Sequence, residues 1–103
     1  TCFHNGDESA APHEALPALE RTLAERARER PEGSYTAELL ADPRRIEAKV
    51  LEEAEEVARA AREESDERVA EESADLMYHL AVLLRSRELT LADAERVLDG
   101  RRR

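Results

Sequence analysis

Four acidic residues fall into two pairs with the same spacing. Glu53 and Glu56 are three positions apart, and so are Glu72 and Asp75. Residues three apart lie on one face of a helix, so each pair can present two carboxylates in the same direction. Carboxylate oxygens are hard ligands that favour Mg²⁺ or Mn²⁺ over zinc. The two pairs therefore make a candidate metal site, with Mg²⁺ as the expected ion and Mn²⁺ as an alternative.

These carboxylates border the faces that should be buried. On a helical wheel, Glu53 lies about 20° from Ile46, at the edge of an apolar stripe. On the following helix, Glu72, Asp75 and His79 form a seam beside the apolar face. Unpaired carboxylates there would be costly to desolvate and would raise one another's pKa, and one cation could relieve both costs. The alternative is a solvated acidic face, since Glu-x-x-Glu is common on helix surfaces, and His79 could equally be a packed histidine.

Lys49 is the single lysine among sixteen basic residues, and it precedes Glu53 by four positions. One interpretation is compositional: an arginine-rich chain has kept one lysine by chance. The other is functional, because a compact ammonium at this position could balance metal ligands or contact a phosphate. The sequence alone leaves both open.

The elements that carry these residues should be helices. The chain has 103 residues, enough for one small domain, with only three aromatics and three glycines. Helices are predicted over 13–30, 34–41 and 43–64, then from Asp66 through Leu84, and from Thr90 to Gly100. Asp42 and Asp66 are the predicted N-caps of the third and fourth helices, Thr90 and Asp93 form a predicted capping box, and Gly100 suits the C′ position.

The charge balance limits the possible partners. The net charge is −9, and residues 47–75 contribute −8 of it, from twelve acidic and four basic residues. Such a chain is a poor binder of nucleic acid, because it cannot neutralise a phosphate backbone over a wide surface. No run approaches the ~20 apolar residues of a membrane span. The one cysteine, Cys2, excludes an internal disulfide, and we expect a cytoplasmic protein.

The order of the acidic residues resembles a known signature. Glu53-x-x-Glu56, followed after fifteen residues by Glu72-x-x-Asp75, is similar to the motif of the MazG-like all-α nucleoside triphosphate pyrophosphohydrolases. Longer strings resemble the phosphoribosyl-ATP pyrophosphohydrolase family over about residues 16–103. They are Pro31-Glu-Gly-Ser-Tyr-Thr36 with Leu39-Leu40, Arg45-Ile46, Lys49-Val50 with Glu52-Glu53, and Ala74-Asp75-Leu76 with Tyr78-His79.

The resemblance implies an antiparallel MazG-like bundle of four to five helices that forms a homodimer. It also implies Mg²⁺-dependent hydrolysis of phosphoribosyl-ATP to phosphoribosyl-AMP and pyrophosphate, in histidine biosynthesis. Glu52, Glu53 and Glu56 are the candidate catalytic residues, and Glu52, beside the ligands but farther from the core, is the candidate for orienting or deprotonating the attacking water. The candidate substrate-binding residues are Ser34, Tyr35, Thr36, Arg44, Arg45, Lys49 and His79, although Ser34, Tyr35 and Thr36 could instead simply fix the loop before the helical hairpin. Two positions depart from the family pattern: Leu51 replaces a usual glycine, and Glu38 replaces a common lysine.

The N-terminal residues carry a second, shorter resemblance. Thr1-Cys2-Phe3-His4 is similar to the closing segment of phosphoribosyl-AMP cyclohydrolases, in which that cysteine is a zinc ligand. We therefore expect residues 1–12 to be a flexible tail left from a preceding cyclohydrolase domain and residues 13–103 to form the pyrophosphohydrolase domain. Two rival functions stay open: a housecleaning nucleoside triphosphate pyrophosphohydrolase, and a non-catalytic acidic helical module that binds a basic partner.

Overall fold

The computed structural model describes residues 13–30 and 32–102, and the regular secondary structure in these ranges is entirely α-helical. The five helices are α1 (Ala15–Glu29), α2 (Tyr35–Leu40), α3 (Pro43–Glu63), α4 (Asp66–Ser86) and α5 (Leu91–Arg101). The predicted all-α class and the predicted number of helices are confirmed for this part of the chain. The expected tail, residues 1–12 with Cys2, lies outside the described residues.

Side-chain caps set most of the helix starts. Asp42 accepts a hydrogen bond from the Arg45 N–H at 3.3 Å and caps α3, and Thr90 and Asp93 form a capping box on α5, as predicted. The prediction for α4 was one residue late. Ser65, not Asp66, is its N-cap, because the Ser65 hydroxyl accepts the Arg68 N–H at 3.2 Å.

The predicted end of α5 was also wrong. The helix continues through Gly100 to Arg101, so Gly100 is an interior residue and not a C′ residue. The last turn is held by the Arg102 N–H, which donates to the Asp99 carbonyl at 3.2 Å, and by an ion pair of the same two residues at 3.1 Å. Because Arg102 and Asp99 bond to each other on either side of Gly100, the helix continues through this glycine.

Helices α3 and α4, joined by two residues, form an antiparallel hairpin with the most extensive contact between any two helices described here. Helices α1 and α2 pack on the hairpin and close the core. The buried apolar residues of this core are Leu19, Leu23, Leu39, Leu40, Ile46, Ala81 and Val82. None of the five helices is long and apolar enough to cross a membrane.

Helix α5 is attached through one polar joint and through Leu91, which is partly buried against the core. It has no buried residue, but Glu20 of α1 accepts the backbone N–H of Leu91 through Oε2 at 2.6 Å. The other carboxylate oxygen of Glu20 pairs with Arg85 of α4 at 3.4 Å, and both side chains are mostly buried. One carboxylate thus joins three helices and satisfies an N–H group that the start of α5 would otherwise leave unpaired.

Replacing Glu20 with alanine should therefore loosen α5. We expect a loss of about 1–3 kcal/mol in the free energy of unfolding, because Arg85 and the Leu91 N–H lose a charged partner. Urea denaturation measures the loss, and hydrogen exchange should show α5 amides losing protection first. Glu25→Ala, an exposed position on the same helix, is the matched control. Equal stability of the Glu20 and Glu25 variants would show that Glu20 does not hold α5 in place.

Candidate metal centre

Three carboxylates converge where α3 and α4 face each other. One oxygen from each of Glu53, Glu72 and Asp75 lies within 4.8 Å of the others, close enough for a single metal ion to bind all three. Glu53 and Glu72 are each only 8% exposed, and Asp75 is half-buried. We call these three residues the acidic cluster. It contains three of the four metal ligands that the sequence predicts.

The helical register explains why the cluster is buried. Glu53 comes seven residues after Ile46, which is fully buried, so both lie on the inward face of α3. On α4, Glu72 and Asp75 are one turn apart, and His79 follows one turn later in a buried position. The hairpin turns these two faces toward each other. Its geometry therefore brings together acidic residues that are about twenty positions apart in sequence.

The fourth predicted ligand, Glu56, lies outside the acidic cluster. Its Oε1 pairs with the Arg59 guanidinium at 2.7 Å, one turn farther along α3. Glu56 is also more exposed than Glu53. Its role as a ligand stays a prediction, and Arg59 would compete with a metal for its Oε1.

The electrostatics of the cluster favour a bound cation. The pKa of Glu53 is raised above its ordinary value, first by burial and next by the negative charge of Asp75, with Glu72 adding to the effect. His79 and Lys49 oppose the shift electrostatically, and the Lys49 Nζ lies 3.9 Å from Glu53 and 3.5 Å from Glu52. Their effect does not cancel that of burial and the neighbouring acids, because the net change in the Glu53 pKa is upward. The donor set, all carboxylate oxygens, suits Mg²⁺ or Mn²⁺.

His79 is held by protein groups on both sides of its ring. Its Nδ1 lies 2.9 Å from the backbone carbonyl of Asp75, and its Nε2 lies 3.0 Å from the Tyr35 hydroxyl. Because a carbonyl only accepts, Nδ1 carries a proton in this arrangement, and the Tyr35 hydroxyl is the hydrogen-bond partner of Nε2. The histidine thus links α2 to the turn of α4 that carries Asp75. Its predicted contact with substrate stays a prediction.

The remaining predicted substrate-binding residues lie around α2 and the first turns of α3. Ser34 caps α2, and the Thr36 hydroxyl lies 2.5 Å from that of Tyr78. The Arg45 guanidinium stacks over the Tyr35 ring at 5.5 Å from its centre and reaches Glu38 at 3.6 Å. Arg44 is exposed. The departure at position 38 therefore gives Arg45 an acidic neighbour where a lysine is common.

Sequence reasoning missed three residues that contact the site. Tyr78 holds Thr36 and stacks on Tyr35, with ring centres 6.2 Å apart. Arg59 pairs with Glu56, and Arg68 pairs with Glu72. The two arginines had a readable signal, because each lies three or four residues from a predicted ligand, a spacing at which helical ion pairs form.

Arg68 contacts three carboxylates at once. Its Nε lies 3.2 Å from Glu64, and its two terminal nitrogens pair with Glu71 and Glu72. Hydrogen bonds that Arg68 donates to Glu71 and Glu64, together with the charge of Glu72, raise the pKa of Arg68 above its already high ordinary value. Arg68 is therefore a permanent positive charge at the edge of the acidic cluster.

Comparison with known proteins identifies the family. A family model described as phosphoribosyl-ATP pyrophosphohydrolase matches residues 16–102. The histidine biosynthesis bifunctional protein HisIE of Xylella fastidiosa (strain Temecula1) is 53% identical over 91% of this chain and 46% of its own length. The HisIE proteins of Xanthomonas axonopodis and Bacillus subtilis are 50% and 49% identical, over 89% and 81% of this chain and 45% and 40% of their own lengths. The chain thus spans less than half of each relative.

Replacing Glu53 with glutamine should change how stability depends on pH. The pKa of Glu53 in the fold is raised above its ordinary value of 4.5. The metal-free fold therefore loses stability as the pH rises from the ordinary pKa through the raised one. The variant lacks this loss. Its melting temperature relative to the parent chain should therefore increase from about pH 4 to about pH 7.

Thermal melts in a chelator measure this difference, and Glu55→Gln on the exposed face of α3 controls for removal of one charge. If the melting temperature of Glu53→Gln follows that of the parent chain across the pH range, burial does not raise the pKa of Glu53. Loss of the difference in Mg²⁺ would agree with a bound cation.

Proposed function

The chain belongs to the phosphoribosyl-ATP pyrophosphohydrolase family, and from this premise we propose that it hydrolyses phosphoribosyl-ATP to phosphoribosyl-AMP and pyrophosphate in histidine biosynthesis. The observation that supports the proposal most is the buried acidic cluster, in which three carboxylates on facing helices come within 4.8 Å of one another. A non-catalytic acidic module would keep such groups on its solvated surface, where they cost little.

We propose that Glu53, Glu72 and Asp75 hold Mg²⁺, joined by Glu56 once it leaves Arg59. A bound Mg²⁺ supplies charge neutralisation at the triphosphate oxygens, where negative charge develops as the phosphoanhydride bond breaks. The proposal is supported by the position of Glu53, Glu72 and Asp75 on two packed helices, within 4.8 Å of one another. This arrangement also lets a protein with a net charge of −9 bind a polyanionic substrate.

Glu52 is the proposed group that orients or deprotonates the attacking water. It lies beside Glu53 in sequence but is exposed, and it contacts Lys49 at 3.5 Å. Because its carboxylate is exposed and is not one of the proposed metal ligands, its oxygens stay available to a water molecule. The proton of the water would pass to a Glu52 oxygen while the water oxygen bonds to phosphorus and pyrophosphate leaves.

Basic residues at the start of α3 are the proposed phosphate contacts. Arg44 and Arg45 lie in its first turn, and Lys49 follows about one turn later, next to the acidic cluster. Ser34, Tyr35 and Thr36 lie at the start of α2, where the stacked Arg45 and the bonded His79 hold Tyr35 in place. We propose that this surface binds the rest of the substrate.

We also propose that two copies of the chain form a dimer through the α3–α4 hairpin. Three large apolar side chains of the α3–α4 hairpin are exposed: Leu51 at 73%, Met77 at 42% and Leu80 at 38%. Met77 and Leu80 are three residues apart, so they share one face of α4. We propose that the hairpins of two copies pack through these side chains, as the family resemblance implies.

Asp75→Asn and Glu53→Gln should each lower the rate of pyrophosphate release from phosphoribosyl-ATP by at least about 100-fold, because even outer partners of metal ligands cost 10–100-fold. The assay compares release with and without Mg²⁺, and Glu55→Gln should retain the parent rate. Circular dichroism checks that each variant is helical. Faster release from free ATP than from phosphoribosyl-ATP would favour the housecleaning rival, and no release would favour the binding module.

The dimer has its own test. Light scattering should give twice the chain mass for the parent protein, and the double variant Met77→Glu/Leu80→Glu should give one chain mass, because charges at a buried apolar contact are costly. Leu98→Glu, at an exposed position of α5, is the control and should stay dimeric. A parent chain that is monomeric at micromolar concentration would contradict the proposal.

A further inference from the structure

Two arginines with no role in the proposed chemistry hold two of the proposed metal ligands. Arg68 pairs with Glu72 of the acidic cluster, and Arg59 pairs with Glu56 beside it. Each arginine comes from the same helix as the carboxylate it contacts. The positive charges of the metal-free site therefore come from α3 and α4 themselves.

The position of Arg68 is what makes it relevant to a metal ion. Glu72 is almost fully buried, and one of its oxygens belongs to the set that lies within 4.8 Å of Glu53 and Asp75. A cation at the centre of this set and the Arg68 guanidinium draw on the same carboxylate. Lys49 contacts the cluster from the Glu53 side, so Arg68 is the cation on the Glu72 side.

Each arginine can also release its proposed metal ligand and still interact with other acidic residues. Their side chains are 46% and 42% exposed, so each can move outward into solvent. Arg68 already contacts Glu64 and Glu71, and both could keep it after Glu72 is released. Arg59 likewise lies in the field of Glu55 and Glu64. Release therefore exchanges one carboxylate partner for others nearby.

We propose that Arg68 and Arg59 are resident counter-ions of the acidic side chains: they pair with Glu72 and Glu56 in the metal-free protein and release them when the metal binds. The inference rests on the proposed function, because it concerns the same metal site. Two consequences follow. The arginines limit the repulsion between acidic side chains when the site is empty, and they lower the affinity for the metal by competing for its ligands.

Removing an arginine should therefore have opposite effects on the metal-free fold and on metal binding. For Arg68→Gln, calorimetric titration with Mn²⁺ and with Mg²⁺ should give a dissociation constant about three- to fivefold lower than that of the parent chain, the scale of one lost ion pair. The melting temperature in a chelator should fall. Arg59→Gln should act in the same directions, and the double variant should exceed either single one.

The matched control is Arg62→Gln. Arg62 is exposed on α3 and pairs only weakly with Glu63, at 4.0 Å, so its loss removes the same charge without freeing a proposed ligand. Metal affinity in this variant should stay near that of the parent. An equal gain in Arg62→Gln would mean that net charge alone sets the affinity, which would overturn the proposal.

A direct readout comes from the Nε–H signals of ¹⁵N-labelled arginine. The Arg68 signal, assigned from its loss in Arg68→Gln, should shift when Mg²⁺ is added and should stay fixed in Glu72→Gln. Unchanged affinity in Arg68→Gln with a parent chain that binds Mg²⁺ would overturn the counter-ion role and leave the metal site intact. No binding by the parent or any variant would overturn the metal site, and the counter-ion role with it.

Discussion

The structure depends on the burial of two carboxylates, with the half-buried Asp75 beside them, between two helices that must otherwise pack through apolar residues. Glu53 and Glu72 take positions on the inward faces of α3 and α4, beside residues such as Ile46 that are fully buried. Charge held in this way costs free energy unless a counter-charge is close. Lys49, Arg68 and Arg59 supply that charge from the same two helices, and the site can be understood as a balance between these groups and a divalent cation.

The packing around the hairpin makes this balance possible. Leu39 and Leu40 of α2 join the core, which places Tyr35 where its hydroxyl reaches the buried His79. The other ring nitrogen of His79 is bonded to the backbone of Asp75, so the helix that starts with Ser34 is coupled to a carboxylate of the site. The proposed substrate-binding residues and the proposed metal ligands are thus connected by two hydrogen bonds through one histidine.

Much of this arrangement is predictable from sequence, for physical reasons. Helical periodicity placed Glu53 beside Ile46, and the spacing of Glu72 and Asp75 placed them on one face, because backbone geometry alone sets these relations. The partner that a side chain takes among several nearby groups is not predictable in this way. Glu56 pairs with Arg59 and not with the cluster, and Ser65 replaces Asp66 as the cap. Such outcomes depend on competition between several local partners, which a spacing rule does not resolve.

The most direct test of the buried acidic cluster as a metal centre is a crystal structure of the protein grown with Mn²⁺, measured at a wavelength where manganese scatters anomalously. An anomalous peak about 2.0–2.3 Å from oxygens of Glu53, Glu72 and Asp75, with Arg68 turned away from Glu72, is the expected result. An anomalous peak at some other group of residues, or a cluster still closed by Arg68 at saturating Mn²⁺, would contradict it.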